Sequence, residues 1–186
     1  MKRSTSTWSL RVARSDDVAA IEKLIPLSVR GLQSDYYSDA QMEAALGSVF
    51  GVDQQLIRDN TYFVVEHECA IIACGGWSKR KTLFGSDHQT NRDDAELNPA
   101  CDSARIRAFF VHPEWARRGI GSAILEASEN AIRAAGFHSI ELAATLPGKA
   151  FYAAFNYVST ERYEVPLANG LTLPVVRMIK NFPSDG

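Results

Sequence analysis

The sequence predicts an α/β (α+β) fold with about six to seven strands and about four helices, from the period of its apolar residues. Two stretches, within 18–29 and 120–132, place apolar residues at helical spacing. Between them, Thr61 to Glu66 and Ala70 to Trp77 are β-branched and aromatic, and the few polar residues around His67-Glu68 read as the turn of a tight antiparallel hairpin. A hairpin there breaks the regular strand–helix alternation of a doubly wound sheet. With 186 residues and 46% hydrophobic content, the chain has the size of one domain spanning 1–186.

Leu10 to Arg14 alternates like a short strand, and Ser15 is placed to cap a helix through Val18, Ile21, Leu24, Ile25 and Val29. Residues 34–39 read as a loop, with Ser38 or Asp39 as the cap of a second helix through Met42, Ala45 and Leu46. After the hairpin, 78–103 is polar, contains Gly85 and Pro99 and shows no period, so it reads as a long insertion or flexible loop. Ala104 to Val111 is a strand closed by His112-Pro113. Ile120, Ile124, Ala127, Ala131 and Ile132 then mark one face of a helix ended by Gly136, with Glu129 and Arg133 pairing on the wet side. Ser139 to Ala144 is the next strand. A short helix follows, stacking Phe151 on Phe155, with Asn156 in a left-handed position. Tyr157 to Tyr163 and Val175 to Lys180 close the sheet, with Asn169-Gly170 in their connection.

A net charge of −2 and a pI near 6.1 give no overall basic character, so no nucleic-acid partner is expected. No stretch approaches the apolar length of a membrane span, and the basic opening lacks the apolar run of a secretory signal. Cys69, Cys74 and Cys101 form no CxxC pair, which suits free thiols and a cytoplasmic location. His67, His88, His112 and His138 show no ligand spacing, and no metal site is expected.

The chemistry is concentrated in Arg117-Arg118-Gly119-Ile120-Gly121-Ser122, between a strand and a helix. Glycines let the backbone approach a ligand, and the first turn of a helix offers unpaired N–H groups and partial positive charge. Arginines add charge-assisted contacts to phosphate oxygens. A GxG alone is equally a tight turn flanked by solvated arginines.

From Leu10 to Lys180 the chain resembles the GNAT superfamily of N-acetyltransferases. The stretch Arg105-Ile106-Arg107-Ala108-Phe109-Phe110-Val111-His112-Pro113-Glu114-Trp115-Ala116-Arg117-Arg118-Gly119-Ile120-Gly121-Ser122 is similar to that family's central strand and Gln/Arg-x-x-Gly-x-Gly/Ala loop, with Ala116 at the usual Gln or Arg. Thr145-Leu146-Pro147-Gly148-Lys149-Ala150-Phe151-Tyr152-Ala153-Ala154-Phe155-Asn156-Tyr157 is similar to its second motif, with Tyr152 on the tyrosine. The resemblance implies a mixed, mostly antiparallel sheet and acetyl-CoA (coenzyme A) as cosubstrate. It implies that the backbones of Phe109 and Val111 bond the pantetheine arm and that the amides of Arg117, Arg118, Gly119, Ile120, Gly121 and Ser122 wrap the diphosphate. The implied reaction is direct transfer of an acetyl group to an amine, on a small molecule or a peptide, with Tyr152 protonating the departing sulfur. An N–H near Phe110 or Val111 is the candidate to polarise the thioester carbonyl.

For the base, the candidates are Glu66, Glu141 or a water held by backbone carbonyls. Arg105 and Arg107 share a strand face with Phe109 and either line an acceptor pocket or pair with nearby carboxylates. Tyr36, Tyr37 and Trp77 fall on the family's acceptor side. Members of the family often pair, so a homodimer stays open. Two other readings remain: a non-catalytic acyl-CoA sensor, and a dinucleotide-binding oxidoreductase with Glu141 on a ribose. The second is opposed by Ile124 at the third glycine position and by the hairpin.

Overall fold

The structure is a computed structural model that describes residues 7–89 and 92–183. The basic opening at residues 1–6, and residues 90–91 of the 78–103 segment, lie outside it. In chain order the elements are β1 (Ser9–Val12), α1 (Val18–Leu32), α2 (Asp39–Ala45), α3 (Gln54–Arg58), β2 (Tyr62–His67), β3 (Ala70–Ser78), β4 (Ala104–Val111), α4 (Ile120–Ala134), β5 (Ser139–Thr145), α5 (Lys149–Ala154), β6 (Val158–Pro166) and β7 (Thr172–Asn181). All seven strands join one sheet in the order β1-β2-β3-β4-β5-β7-β6, and only β4–β5 is parallel. The mixed, mostly antiparallel architecture is as expected. Among the described residues no helix is long and apolar enough to cross a membrane.

Several local expectations are corrected. The α1 entrance is held not by Ser15 but by Asp17, whose carboxylate accepts the Arg14 amide at 2.7 Å and both Arg11 guanidinium nitrogens at 2.7 and 2.8 Å. At α2, Ser38 is the cap: it accepts the Gln41 amide at 3.2 Å, and its own amide donates to Gln41 at 2.9 Å. The hairpin turns at Glu68-Cys69, one residue later than expected. Both have left-handed φ, 47° and 66°, the geometry that matches strand twist in a two-residue turn. Helix α3 was not anticipated; five residues are too few to display a period, and Asp53 caps it by accepting the Gln55 amide at 3.0 Å.

Gly136 ends α4 as expected, with φ 86° and the paired bonds Gly136 N–H to Arg133 O and Phe137 N–H to Ile132 O. The inner face of α4 is rotated from the expected one, burying Leu125, Ser128 and Glu129 beside Ile120, Ile124 and Ile132. Glu129 is therefore not on the wet side. It accepts the Tyr157 hydroxyl at 2.9 Å and the Lys180 ammonium at 2.8 Å, while Arg133 stands 3.7 Å away. A buried carboxylate needs such partners, because desolvating it alone costs several kcal/mol, roughly.

The sheet separates two cores. One packs α1, α2 and α3 through Ile21, Ile25, Met42 and Leu56; the other packs α4 through Ile124, Leu125 and Ile132. Two irregularities in the sheet create the site. First, β4 and β5 pair only at Ala104–Ile140 and Arg105–Glu141, and beyond Arg105 they diverge. Second, β4 bulges at Ala108, whose φ is 56°. Left-handed backbone costs a non-glycine residue about 1–2 kcal/mol. The Tyr62 hydroxyl offsets it, donating to the Ala108 carbonyl at 2.7 Å. Opposite the bulge, Phe109 packs so closely on Gly75 that a Cβ there would sit 2.6 Å from the ring.

Beyond Ser78, the last residue of β3, the 78–103 segment forms no helix or named strand among its described residues, but it is tied down. Arg107 donates to the carbonyls of Thr82 at 3.0 Å and Gly85 at 2.6 Å, and to Asp53 at 2.8 Å. Arg92 reaches Asp53 at 3.1 Å, and Arg80 reaches Asp59 at 2.7 Å.

Candidate active site

Divergence of β4 from β5 opens a cleft of about 830 Å³ that runs through the sheet. On the α4 side it is lined by Arg117, Gly119, Ile120, Gly121, Ser122 and Phe151. On the α1 side it is lined by Gln33, Tyr36, Phe50, Leu83 and Phe84. Phe109, Val111 and Tyr152 lie between.

At the α4 end the backbone does the shaping. Arg117 has φ 64° and Gly119, at the helix N-cap, has φ 81°. Left-handed residues at such spacing turn successive N–H groups toward one concavity. The Gly119 carbonyl accepts its first helical bond from Ala123, at 3.1 Å, so the amides of Ile120, Gly121 and Ser122 have no acceptor within the helix. Unpaired donors and the positive end of a fifteen-residue helix fit an anionic group such as a diphosphate. Of the loop's side chains, Arg117 lines the cleft, whereas Arg118 stacks over Trp115 at 4.9 Å.

The open edge of β4 supplies the middle of the cleft. The bulge reverses the expected facing: Ile106 and Phe109 both pack on the α4 side, while Ala108 and Phe110 pack on the other. Arg107 and Phe109 therefore do not share a face. Phe110 pairs with Cys74 on β3. The Val111 amide donates to Ser28 Oγ at 3.1 Å. Tyr152 is buried among the rings of Phe109, Phe151 and Tyr157, at 6.2, 5.0 and 5.6 Å. Its hydroxyl makes no hydrogen bond to another described residue, and burial raises its pKa above the ordinary tyrosine value. It is thus a protonated donor at neutral pH, facing the cleft.

Of the other candidates, Glu66, Glu141, Trp77 and Tyr37 stand away from the cleft, and Tyr36 and Thr145 line it. Glu66 is ion-paired to Arg11, which holds its carboxyl below the usual range, and Glu141 is clamped between Arg105 and Arg177. Trp77 is core, packed edge-on to Phe137 at 6.1 Å. Tyr37 is structural: its hydroxyl accepts the Leu146 amide at 2.9 Å and donates to the Pro174 carbonyl at 2.7 Å. Tyr36 is exposed at the cleft mouth. Thr145 lines the cleft, its hydroxyl accepting the Gly148 amide at 3.3 Å. Cys69 and Cys101 are exposed free thiols and Cys74 a buried one.

Sequence reasoning passed over Ser28, Gln33 and Asp53. Ser28 carried a signal, since it falls on the apolar stripe Ile21, Leu24, Ile25, Val29, where a hydroxyl is out of place unless it has a partner. Gln33 and Asp53 carried none, because their roles arise from distant segments.

Residues 58–159, from the end of α3 to the start of β6, match the family described as an acetyltransferase (GNAT) domain. No curated protein matches the chain by sequence. Among solved structures, a GCN5-related N-acetyltransferase from Rhodopseudomonas palustris is similar with TM-score 0.71 and 21% identity, covering 98% of this chain and 100% of the other. The PaiA N-acetyltransferase from Thermoplasma acidophilum, solved in complex with coenzyme A, is similar with TM-score 0.65 and 11% identity over 95% of this chain and 99% of its own. A GNAT family acetyltransferase from Brucella melitensis, in complex with acetyl-CoA, is similar with TM-score 0.57 and 16% identity over 97% and 92%. At these identities the likeness shows a shared fold, and that fold has no doubly wound sheet to support the dinucleotide reading. The family match spans both the β4 bulge and the amide-lined turn that opens α4, and on that match this chain belongs to the GNAT acetyltransferase family.

Proposed function

We propose that the chain is an N-acetyltransferase that moves an acetyl group from acetyl-CoA to an amine by direct attack. The observation that carries this is the cleft between β4 and β5, with unpaired amides at one end and an unpartnered phenol in its middle. Acetyl-CoA supplies the acyl group, activated as a thioester. The amides of 117–122 hold its diphosphate, with Arg117 adding charge and Arg118 contributing through its backbone alone. The open backbone edge at Phe109 and Val111 holds the pantetheine arm. The Val111 amide exchanges Ser28 for the thioester carbonyl oxygen and stabilises the charge that develops there. As the amine nitrogen bonds to the carbonyl carbon and the carbon–sulfur bond breaks, Tyr152 gives its proton to the sulfur and is re-protonated from solvent. The proton leaving the amine goes to water, since neither Glu66 nor Glu141 lines the cleft.

Two measurements on the intact protein test this. Saturating acetyl-CoA should raise the melting temperature and NAD should not. With an amine present, free thiol should appear in step with acetylated amine. Stabilisation without thiol release under any amine would replace the enzyme with a non-catalytic acyl-CoA sensor.

A further inference from the structure

On the reading above, the α4 end and middle of the cleft are taken by the cosubstrate, and the amine must enter from the α1 end. We infer that this end selects a small primary amine with an apolar, aromatic or aliphatic body and no second charge.

Three observations carry the inference. The walls are Leu32, Val49, Phe50, Leu83 and Phe84, an apolar surface that rewards burying hydrocarbon by about 25 cal/mol per Å². Among the described residues no Asp, Glu, Lys or His lines the cleft; its charged side chains are Arg107 and Arg117. Arg117 belongs to the α4 end, and Arg107 is neutralised in place by Asp53 while its donors hold the Thr82 and Gly85 carbonyls. A polyamine would find no carboxylate for its extra ammonium groups, and an acidic amine would compete with Asp53 for Arg107. Finally, Gln33 is 8% exposed and lines this end, with its Oε1 lacking any hydrogen-bond partner among the described residues. A buried amide without a partner is costly, and an N–H of the entering amine satisfies it.

The pocket is built for this by the 78–103 segment. Arg107 grips the carbonyls on either side of Leu83-Phe84 and so presents the pair as a wall. Gln33 closes α1 through its backbone, whose amide donates to Val29 O at 3.1 Å, leaving the side chain free for a ligand.

The test uses the full chain with acetyl-CoA, comparing phenethylamine, hexylamine, spermidine, glutamate and an alanine-initiated peptide by thiol release, and measuring phenethylamine binding to the CoA-loaded protein by calorimetry. Phenethylamine and hexylamine should exceed the others in kcat/KM by at least about tenfold. Gln33→Leu should raise KM for phenethylamine about tenfold without changing stabilisation by acetyl-CoA, and Leu83→Asp should move preference toward spermidine. Preference for spermidine, glutamate or the peptide in the unaltered protein overturns the inference. So does failure of phenethylamine to bind while acetyl-CoA still stabilises, an outcome that leaves the cosubstrate site standing. If acetyl-CoA does not stabilise either, both readings fall.

Discussion

The two ends of the cleft are made by different means. At the α4 end, shape comes from consecutive residues: Arg117 and Gly119 are left-handed, and the helix that follows leaves its first amides unpaired. At the α1 end, shape comes from side chains that meet across long stretches of chain, such as Arg107 and Asp53, 54 residues apart. Backbone-made sites tolerate changes of side chain, and network-made sites do not. Substitutions that crowd the backbone-made turn should therefore fail in binding, and those that cut the Arg107–Asp53 network should fail in folding.

The largest effect is expected at the network. Arg107→Met leaves Asp53 with Arg92 as its one cation among the described residues and strands the Thr82 and Gly85 carbonyls, so urea unfolding should show a loss of about 3–5 kcal/mol. A loss under 1 kcal/mol, roughly the size of an ordinary surface change, would mean that the segment stands without this arginine. Next comes the point where the ends meet. Tyr152→Phe should lower kcat about a hundredfold with CoA affinity within about twofold, since a phenol serving as acid acts only in the chemical step. Because burial holds the hydroxyl protonated beyond the ordinary tyrosine range, that deficit should stay constant from about pH 6 to pH 9. Unchanged turnover removes Tyr152 from the mechanism.

The smallest and most diagnostic effect lies at the backbone-made end. In Gly121→Ala the new methyl meets Phe151 at an ordinary 3.5 Å, and alanine favours the helix by about 1 kcal/mol over glycine. The free protein should melt slightly higher, while acetyl-CoA should stabilise it less than it does the parent. Equal stabilisation would show that no ligand approaches that turn closely.

This contrast also explains what could be read beforehand. The long helices, the hairpin and the loop before α4 were legible because their signals are local: apolar period, turn residues and glycine spacing. Glu129 was misplaced because its partners, Tyr157 just before β6 and Lys180 on β7, come later in the chain, and a helical wheel cannot see them. Helix α3 had too few residues to show a period. The Ala108 bulge was invisible because its support, Tyr62 on β2 and Gly75 on β3, comes from other strands, and without the bulge Phe109 was assigned to the wrong face. Arg107 could be paired with some carboxylate in principle, but nothing near it in the chain pointed to Asp53.

Among the described residues, the strand ladder joins β1 through β4 to β5 through β7 at two residue pairs. The halves of the sheet are thus mechanically weakly joined along the line where a cosubstrate would lie. A molecule wedged there touches both, and acts as mortar: each half becomes harder to open because the other is closed. Amide exchange along the inner edges of β4 and β5 is where that tightening would register first.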